Sequence, residues 1–250
     1  MTKRTRSVAL LVSLTALAAF SLAALARNLT SAQGPGDQQD ANLLGTSARE
    51  QGQQYEVTIT NLTRGQQFTP ILVASHREGV SLFKLGEPVS PQLATLAEEG
   101  NTAPLAALLS GMPAVRDVVS GSGLTDPGKS VTLTFEATGA FDHFSVAAML
   151  IPTNDAFFAI NGVELPRGNN SLTLFSPAYD AGSERNDELC ASIPGPSFTE
   201  CGGPGGGGAP TGGEEGFAHI HAGIHGIGNL MPARRDWRNP VARIIVRRMR

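Results

Sequence analysis

Two stretches alternate apolar and polar residues with a period of two. They constrain the fold more than anything else in the chain. Over residues 55–61, Tyr55, Val57 and Ile59 fall on one side and Glu56, Thr58 and Thr60 on the other. Residues 130–137 repeat the pattern with Val131, Leu133 and Phe135. Successive side chains of a strand point to opposite faces, so this period predicts antiparallel strands with one wet face. Residues 68–74 and 144–151 are apolar on both faces and predict central strands. Residues 157–163, 172–175, 217–221 and 241–246 are further candidates. In the last, Ala242, Ile244 and Val246 point inward while Arg243 and Arg247 point outward. Eight short strands separated by turn signals predict an all-β chain, an antiparallel β-sandwich.

One or two short helices interrupt this pattern. Ser90 is placed to cap a helix with Pro91 at its first position, and Gly100 to end it. Leu93, Leu96 and Ala97 form its apolar stripe. Leu105, Leu108 and Leu109 have similar spacing in residues 103–110, so both helices are expected to cover the sandwich. Composition agrees with a turn-rich sandwich. The 250 residues include 29 Gly and 16 Pro, and only 16% are charged. Residues 195–216 are low in complexity, with glycine uninterrupted from 205 to 208, and predict an exposed loop too flexible to pack.

The N-terminus has the form of an export signal over residues 1–26. Lys3, Arg4 and Arg6 precede an apolar run that leaves through Ala24-Leu25-Ala26. The same run is long enough for an uncleaved anchor. Residues 27–54 lack periodicity and form a tether, leaving 55–250 as the folded domain. The expected location is secreted, extracellular or periplasmic, with no membrane span once the signal is cleaved. Cys190 and Cys201 are the two cysteines. In an oxidising compartment they read as a disulfide closing a loop. Half a site for a soft metal is the other reading.

A net charge of −3 excludes a generally basic nucleic-acid binder. The charge is uneven, because residues 234–250 carry seven Arg and one Asp. That end is either the wet face of a last strand or a contact for anionic lipid or polysaccharide. No Gly-x-Ser-x-Gly elbow supports a hydrolase triad, and Gly205–Gly208 has no Lys-Ser/Thr after it to make a phosphate loop.

Two constellations could carry chemistry. Asp155 follows a strongly apolar strand, and Asp180 sits in a Gly turn with Glu184, Asp187 and Glu188 close behind. Carboxylates so placed make either a solvated acidic loop or a nest for Ca²⁺, which takes six to eight oxygen ligands. The second constellation is His219, His221 and His225. In a strand His219 and His221 share a face, and His225 follows a Gly that permits a bend. These imidazoles are an alternative metal site for Zn²⁺ or Cu²⁺, or they bond to loop backbone.

Four segments carry a resemblance in order and spacing. They are Leu96-Ala97-Glu98-Glu99-Gly100, then Asn154-Asp155-Ala156-Phe157-Phe158-Ala159-Ile160, then Tyr179-Asp180-Ala181-Gly182-Ser183-Glu184, and Pro240-Val241-Ala242-Arg243-Ile244. Together they resemble the spondin domain, the N-terminal module of the F-spondin and mindin family of extracellular matrix proteins, over roughly residues 55–249. The segment at Asp155 is similar to the family's Ser-Pro-Asp-Trp-Phe, with Thr-Asn for Ser-Pro and Ala156 for Trp. The segment at Asp180 is close to Tyr-Asp-Ala-Gly-Thr-Asp. The resemblance implies a β-sandwich with one calcium ion on Asp155, Asp180 and Glu184. Glu184 stands where the family has Asp, and Asp187 could take its place. The His219, His221 and His225 cluster is outside the family's pattern. The function so implied is a secreted, non-enzymatic, calcium-stabilised adhesion or binding module whose partner is an unidentified extracellular protein or polysaccharide. The opposing class is a zinc or copper metalloprotein or metalloenzyme built on the histidines.

Overall fold

The computed structural model describes residues 52–250 apart from Ser197 and Pro210. The export signal and all but the last residues of the tether fall outside the described residues. In chain order the strands are β1 (Gln53–Asn61), β2 (Gln67–Phe68), β3 (Leu72–His76), β4 (Val115–Ser120), β5 (Ser130–Ala137) and β6 (His143–Ile151). They continue with β7 (Ala156–Glu164), β8 (Ser171–Ser176), β9 (Ala178–Asp180), β10 (His219–Ile220) and β11 (Ala242–Arg248). The helices are α1 (Pro91–Glu99), α2 (Ala103–Ser110) and the single turn α3 (Pro232–Arg235). Among the described residues no helix is long and apolar enough to cross a membrane.

The strands form two antiparallel sheets, so the fold is the all-β sandwich that the alternation predicts. One sheet runs β5-β1-β11-β8 and the other β10-β9-β7-β6-β3-β4, with β2 paired to β6. β1 holds the first sheet together. Its Val57 pairs with Leu133 of β5 on one side and Val246 of β11 on the other. Between the sheets lies a core that includes Val57, Ile59, Phe68, Phe135, Phe144, Phe158 and Ile244. β11 buries Ala242, Ile244 and Val246 and exposes Arg243 and Arg247, as its alternation requires.

The second sheet is covered on both faces, which is why β3 and nearly all of β6 are buried on both sides and mostly apolar. A second core joins Leu72, Ala74, Ala147 and Phe157 to Leu93, Leu96 and Leu105 of the helices. α1 begins as its sequence predicts, with the Ser90 hydroxyl accepting the Leu93 N–H and Pro91 in the first turn. It ends at Gly100, whose φ of 67° is left-handed. A Cβ there would lie 2.5 Å from Thr69, so the position suits only glycine. In α2 Leu105 and Leu109 are buried, but Leu108 points to solvent, so the expected three-leucine stripe is really two residues wide.

Three details depart from expectation. The stretch 68–74 is split, because Pro70 cannot donate to a ladder and the chain resumes pairing only at Leu72. β4 and β9 were not foreseen. Of the expected loop over 195–216, residues 211–216 are exposed as predicted, but Gly205 and Gly206 pack against neighbouring backbone. Gly206 donates its N–H to the Cys190 carbonyl at 2.8 Å, and a Cβ on Gly205 or Gly206 would lie within 2 Å of the Ile193 or Ala191 carbonyl oxygen. Glycine permits close packing here rather than mobility. Cys190 and Cys201 are joined in a disulfide with a Cα separation of 5.5 Å. The soft-metal reading of that pair is therefore overturned.

Candidate functional site

Asp155 closes the turn between β6 and β7, and Asp180 is the last residue of β9. β7 and β9 are neighbours, and Asp180 pairs with Ala156. This register brings two carboxylates, 25 positions apart in sequence, to one end of the sheet. The turn after β9 folds back onto Asp155. The Ser183 and Glu184 N–H groups donate to Asp155 Oδ2 at 2.8 and 3.0 Å, and the Ala181 N–H donates to the Asp155 carbonyl. Gly182 makes this turn possible. Its φ is 64°, and a Cβ would lie 2.3 Å from the Phe217 carbonyl oxygen.

Three of the predicted residues are thus assembled: Asp155 and Asp180 are 0% and 1% exposed, and Glu184 is 8% exposed. Asp180 accepts from the Gly182 N–H on Oδ1 and from Asn186 Nδ2 on Oδ2. Glu184 Oε1 accepts the Ala209 N–H at 2.9 Å. The other oxygens, Asp155 Oδ1 and Glu184 Oε2, are buried with no hydrogen-bond partner. Such orphaned acceptors cost free energy unless something satisfies them. The electrostatics agree. Burial, then the neighbouring Asp180 carboxylate, push Asp155 up to about 8. Burial pushes Glu184 up to about 7 against its bond from Ala209, with Glu98 adding like charge. Asp180 is also raised, by burial, against the bonds from Asn186 and Gly182.

The sequence left Glu184 and Asp187 as alternatives, and their bonding differs. The Asp187 carboxylate already accepts from Asn154 Nδ2, the Leu189 N–H and Ser192 Oγ. Burial alone would raise it, but those bonds outweigh burial and hold it below the ordinary carboxylate range. Its oxygens are therefore engaged, whereas Glu184 keeps one free.

The donor set is all oxygen and anionic, and its orphaned atoms fit a hard cation. As the side chains stand, no three His, Cys, Asp or Glu groups among the described residues are gathered closely enough to hold an ion.

The histidines adjoin the same corner. β10 pairs with β9 so that His219 lies opposite Asp180. His219 Nδ1 and His221 Nε2 each stand 3.8 Å from an Asp180 oxygen. His225 is exposed, and its backbone N–H donates to Glu188 Oε1. His221 is buried, which together with His219 and His225 lowers its pKa to about 3 and keeps it neutral. Its Nδ1 accepts the Gly223 N–H at 2.9 Å. Neutral His221 therefore carries its proton on Nε2, which is buried without a hydrogen-bond partner beside Asp180.

Glu188 is the residue whose role sequence reasoning missed. Its backbone is left-handed, with φ of 54°. Its carboxylate accepts the N–H groups of His225, Gly226 and Ile227. It staples the histidine loop to the acidic loop. The only signal in the sequence was a Glu beside the acidic cluster, with nothing to show which backbone it would meet.

A β-sandwich with helices over one sheet and carboxylates converging where two of its strands end is the class that fold and site define. The family model of the spondin N-terminal domain matches residues 53–186, and the chain belongs to that family. The match spans β1 to Asn186 and contains Asp155, Asp180 and Glu184; the disulfide, the histidine loop and β11 lie beyond it. No curated protein matches the chain.

Proposed function

We propose that this spondin-type domain is a secreted, non-enzymatic binding module stabilised by one calcium ion on Asp155, Asp180 and Glu184. The observation that carries the reading is the pair of buried, unpartnered oxygens, Asp155 Oδ1 and Glu184 Oε2, beside Asp180. A divalent cation would satisfy both and offset the burial, and the lesser repulsion, that raise these carboxylates. Its role is structural, tying the turn before β7 to the turn after β9. A partner, an extracellular protein or polysaccharide, would dock on the loops so fixed.

Two further observations support the reading. The disulfide suits an oxidising compartment. Ser145 Oγ and His76 Nε2 are hydrogen-bonded at 2.8 Å, but both residues are wholly buried, so this pair meets no substrate. It is a structural tie between β3 and β6.

Elemental analysis of the exported protein, purified without chelator, tests the proposal. One equivalent of calcium supports it. Stoichiometric zinc or copper without calcium would transfer the site to the histidines. Intact mass of the same material should correspond to cleavage near Ala26, and a mature chain that keeps Lys3 would contradict export by a cleaved signal.

A further inference from the structure

The outer face of the β5-β1-β11-β8 sheet and its arginine-rich end remain unexplained by a calcium site. We propose that this surface binds an anionic polysaccharide. It lies at the far end of β8 from Asp180. Ser176 of β8 pairs with Ala242, just before β9, whereas Ser171 pairs with Arg247 at the opposite end.

At that end Arg247, Arg248, Arg250, Asn169 and Ser171 line a cleft of about 540 Å³. Glu56 is the one side-chain carboxylate in the lining, and it is paired with Arg247 at 2.8 Å. The cleft thus holds three guanidiniums against one side-chain carboxylate, on a chain that is acidic overall. Arg248 and Arg250 are exposed, and each is without an ion pair among the described residues. Arg243 lies on the same outer face as Arg247, four residues and about 13 Å away along the strand. Guanidinium groups match sulfate and carboxylate oxygens with paired, directional donors.

The rest of the face favours sugar over a lipid surface. Thr58 pairs across with Thr132 on one side and Ile245 on the other, and Ile245 pairs with Thr173. Thr60 pairs with Ser130. Thr58 and Thr132 share a hydroxyl–hydroxyl bond at 2.9 Å, as do Thr60 and Ser130 at 2.8 Å, and each pair keeps further hydrogen-bonding capacity beside the arginines. A polysaccharide offers hydroxyls and anions along one chain, and this face answers both. A membrane would use the charge but not the hydroxyls.

The test is binding of the purified protein to immobilised heparin in chelator, with neutral dextran and phosphatidylserine-containing vesicles as parallel arms. The expected result is retention on heparin that weakens with salt, with no retention on dextran and weaker association with vesicles. Arg243→Gln/Arg248→Gln/Arg250→Gln should weaken heparin binding by about tenfold or more, with the melting temperature unchanged. Arg248→Gln/Arg250→Gln, which removes no side-chain hydrogen bond, should show a smaller loss in the same direction. No binding to heparin, equal binding of both variants and wild type, or tighter binding to the vesicles overturns the proposal. Because calcium is absent from the assay, failure here leaves the calcium reading untouched.

Discussion

Glu184 bonds the Asp155 carboxylate through its backbone and not its side chain: the Glu184 N–H donates to Asp155 Oδ2 at 3.0 Å, while Asp155 Oδ1 and Glu184 Oε2 both stay buried and unpartnered. The turn therefore holds two carboxyl groups together without either neutralising the other. The testable consequences start from that arrangement.

Stability should depend on pH in a direction that calcium cancels. Asp155 and Glu184 are raised to about 8 and about 7, above the ordinary carboxylate range of the unfolded chain. A raised pKa means the folded state binds more protons, so stability is full at acid pH and is lost as pH rises through those values. His76 and His221 are lowered by burial, which gives the opposite slope only below their ordinary 6.5. In chelator the melting temperature should fall between pH 6.5 and 8.5, and saturating calcium should flatten that fall. A chelated protein that grows more stable over this window would contradict the electrostatics.

Ser145→Ala should destabilise the fold. The Ser145 hydroxyl bonds buried His76 Nε2 and accepts the half-buried Gly162 N–H. Removing it strands both groups at a cost of about 1–3 kcal/mol. Thermal unfolding reads this as a drop of roughly 2–4 °C per kcal/mol for a domain of this size. No drop would mean that water replaces the hydroxyl.

Cys190→Ser/Cys201→Ser should cost up to about 3 kcal/mol, since the disulfide closes a short loop in the unfolded chain. Labelling of the wild type under denaturing, non-reducing conditions should find no free thiol. Two labelled cysteines would contradict the bond.

The glycine-rich segment should respond to the ion. Ala209 donates to Glu184 Oε1, so an ion that fixes Glu184 also fixes this hydrogen bond. Hydrogen exchange at Ala209 and at the Ser183 and Glu184 amides should slow when calcium is added. Gly206→Ala should abolish the difference at Ala209, because a Cβ at Gly206 would lie 1.6 Å from the Ala191 carbonyl oxygen. Exchange that ignores calcium at all these amides would separate the loop from the site.

Much of this was legible in the sequence because it was local. The alternation of β1, β5 and β11, and the Ser90, Pro91 and Gly100 signals of α1, are set by neighbours a few residues away. The motif resemblance located Asp155, Asp180 and Glu184 by order and spacing. What the sequence hid depends on distant backbone. β4 shows no clean alternation, since its side chains are half-buried between β3 and the edge of the other sheet. The packing of Gly205 and Gly206 needs the 190–194 backbone, and the choice between Glu184 and Asp187 needs Asn154 and Ser192. The spacing of His219 and His221 is visible in the sequence; the Gly223 N–H that His221 Nδ1 accepts is a three-dimensional fact.

The measurement closest to the central claim is a calcium titration, by calorimetry, of the wild type, Asp155→Asn, Asp180→Asn and His221→Ala. Each asparagine keeps the side-chain shape and removes one charge. The account predicts one calcium site in the wild type, weakened in both asparagine variants and retained in His221→Ala, with binding raising the melting temperature of the wild type as RT ln(1 + [L]/Kd). A wild type that takes up no calcium, or a site abolished by His221→Ala and unmoved by Asp155→Asn and Asp180→Asn, would contradict it.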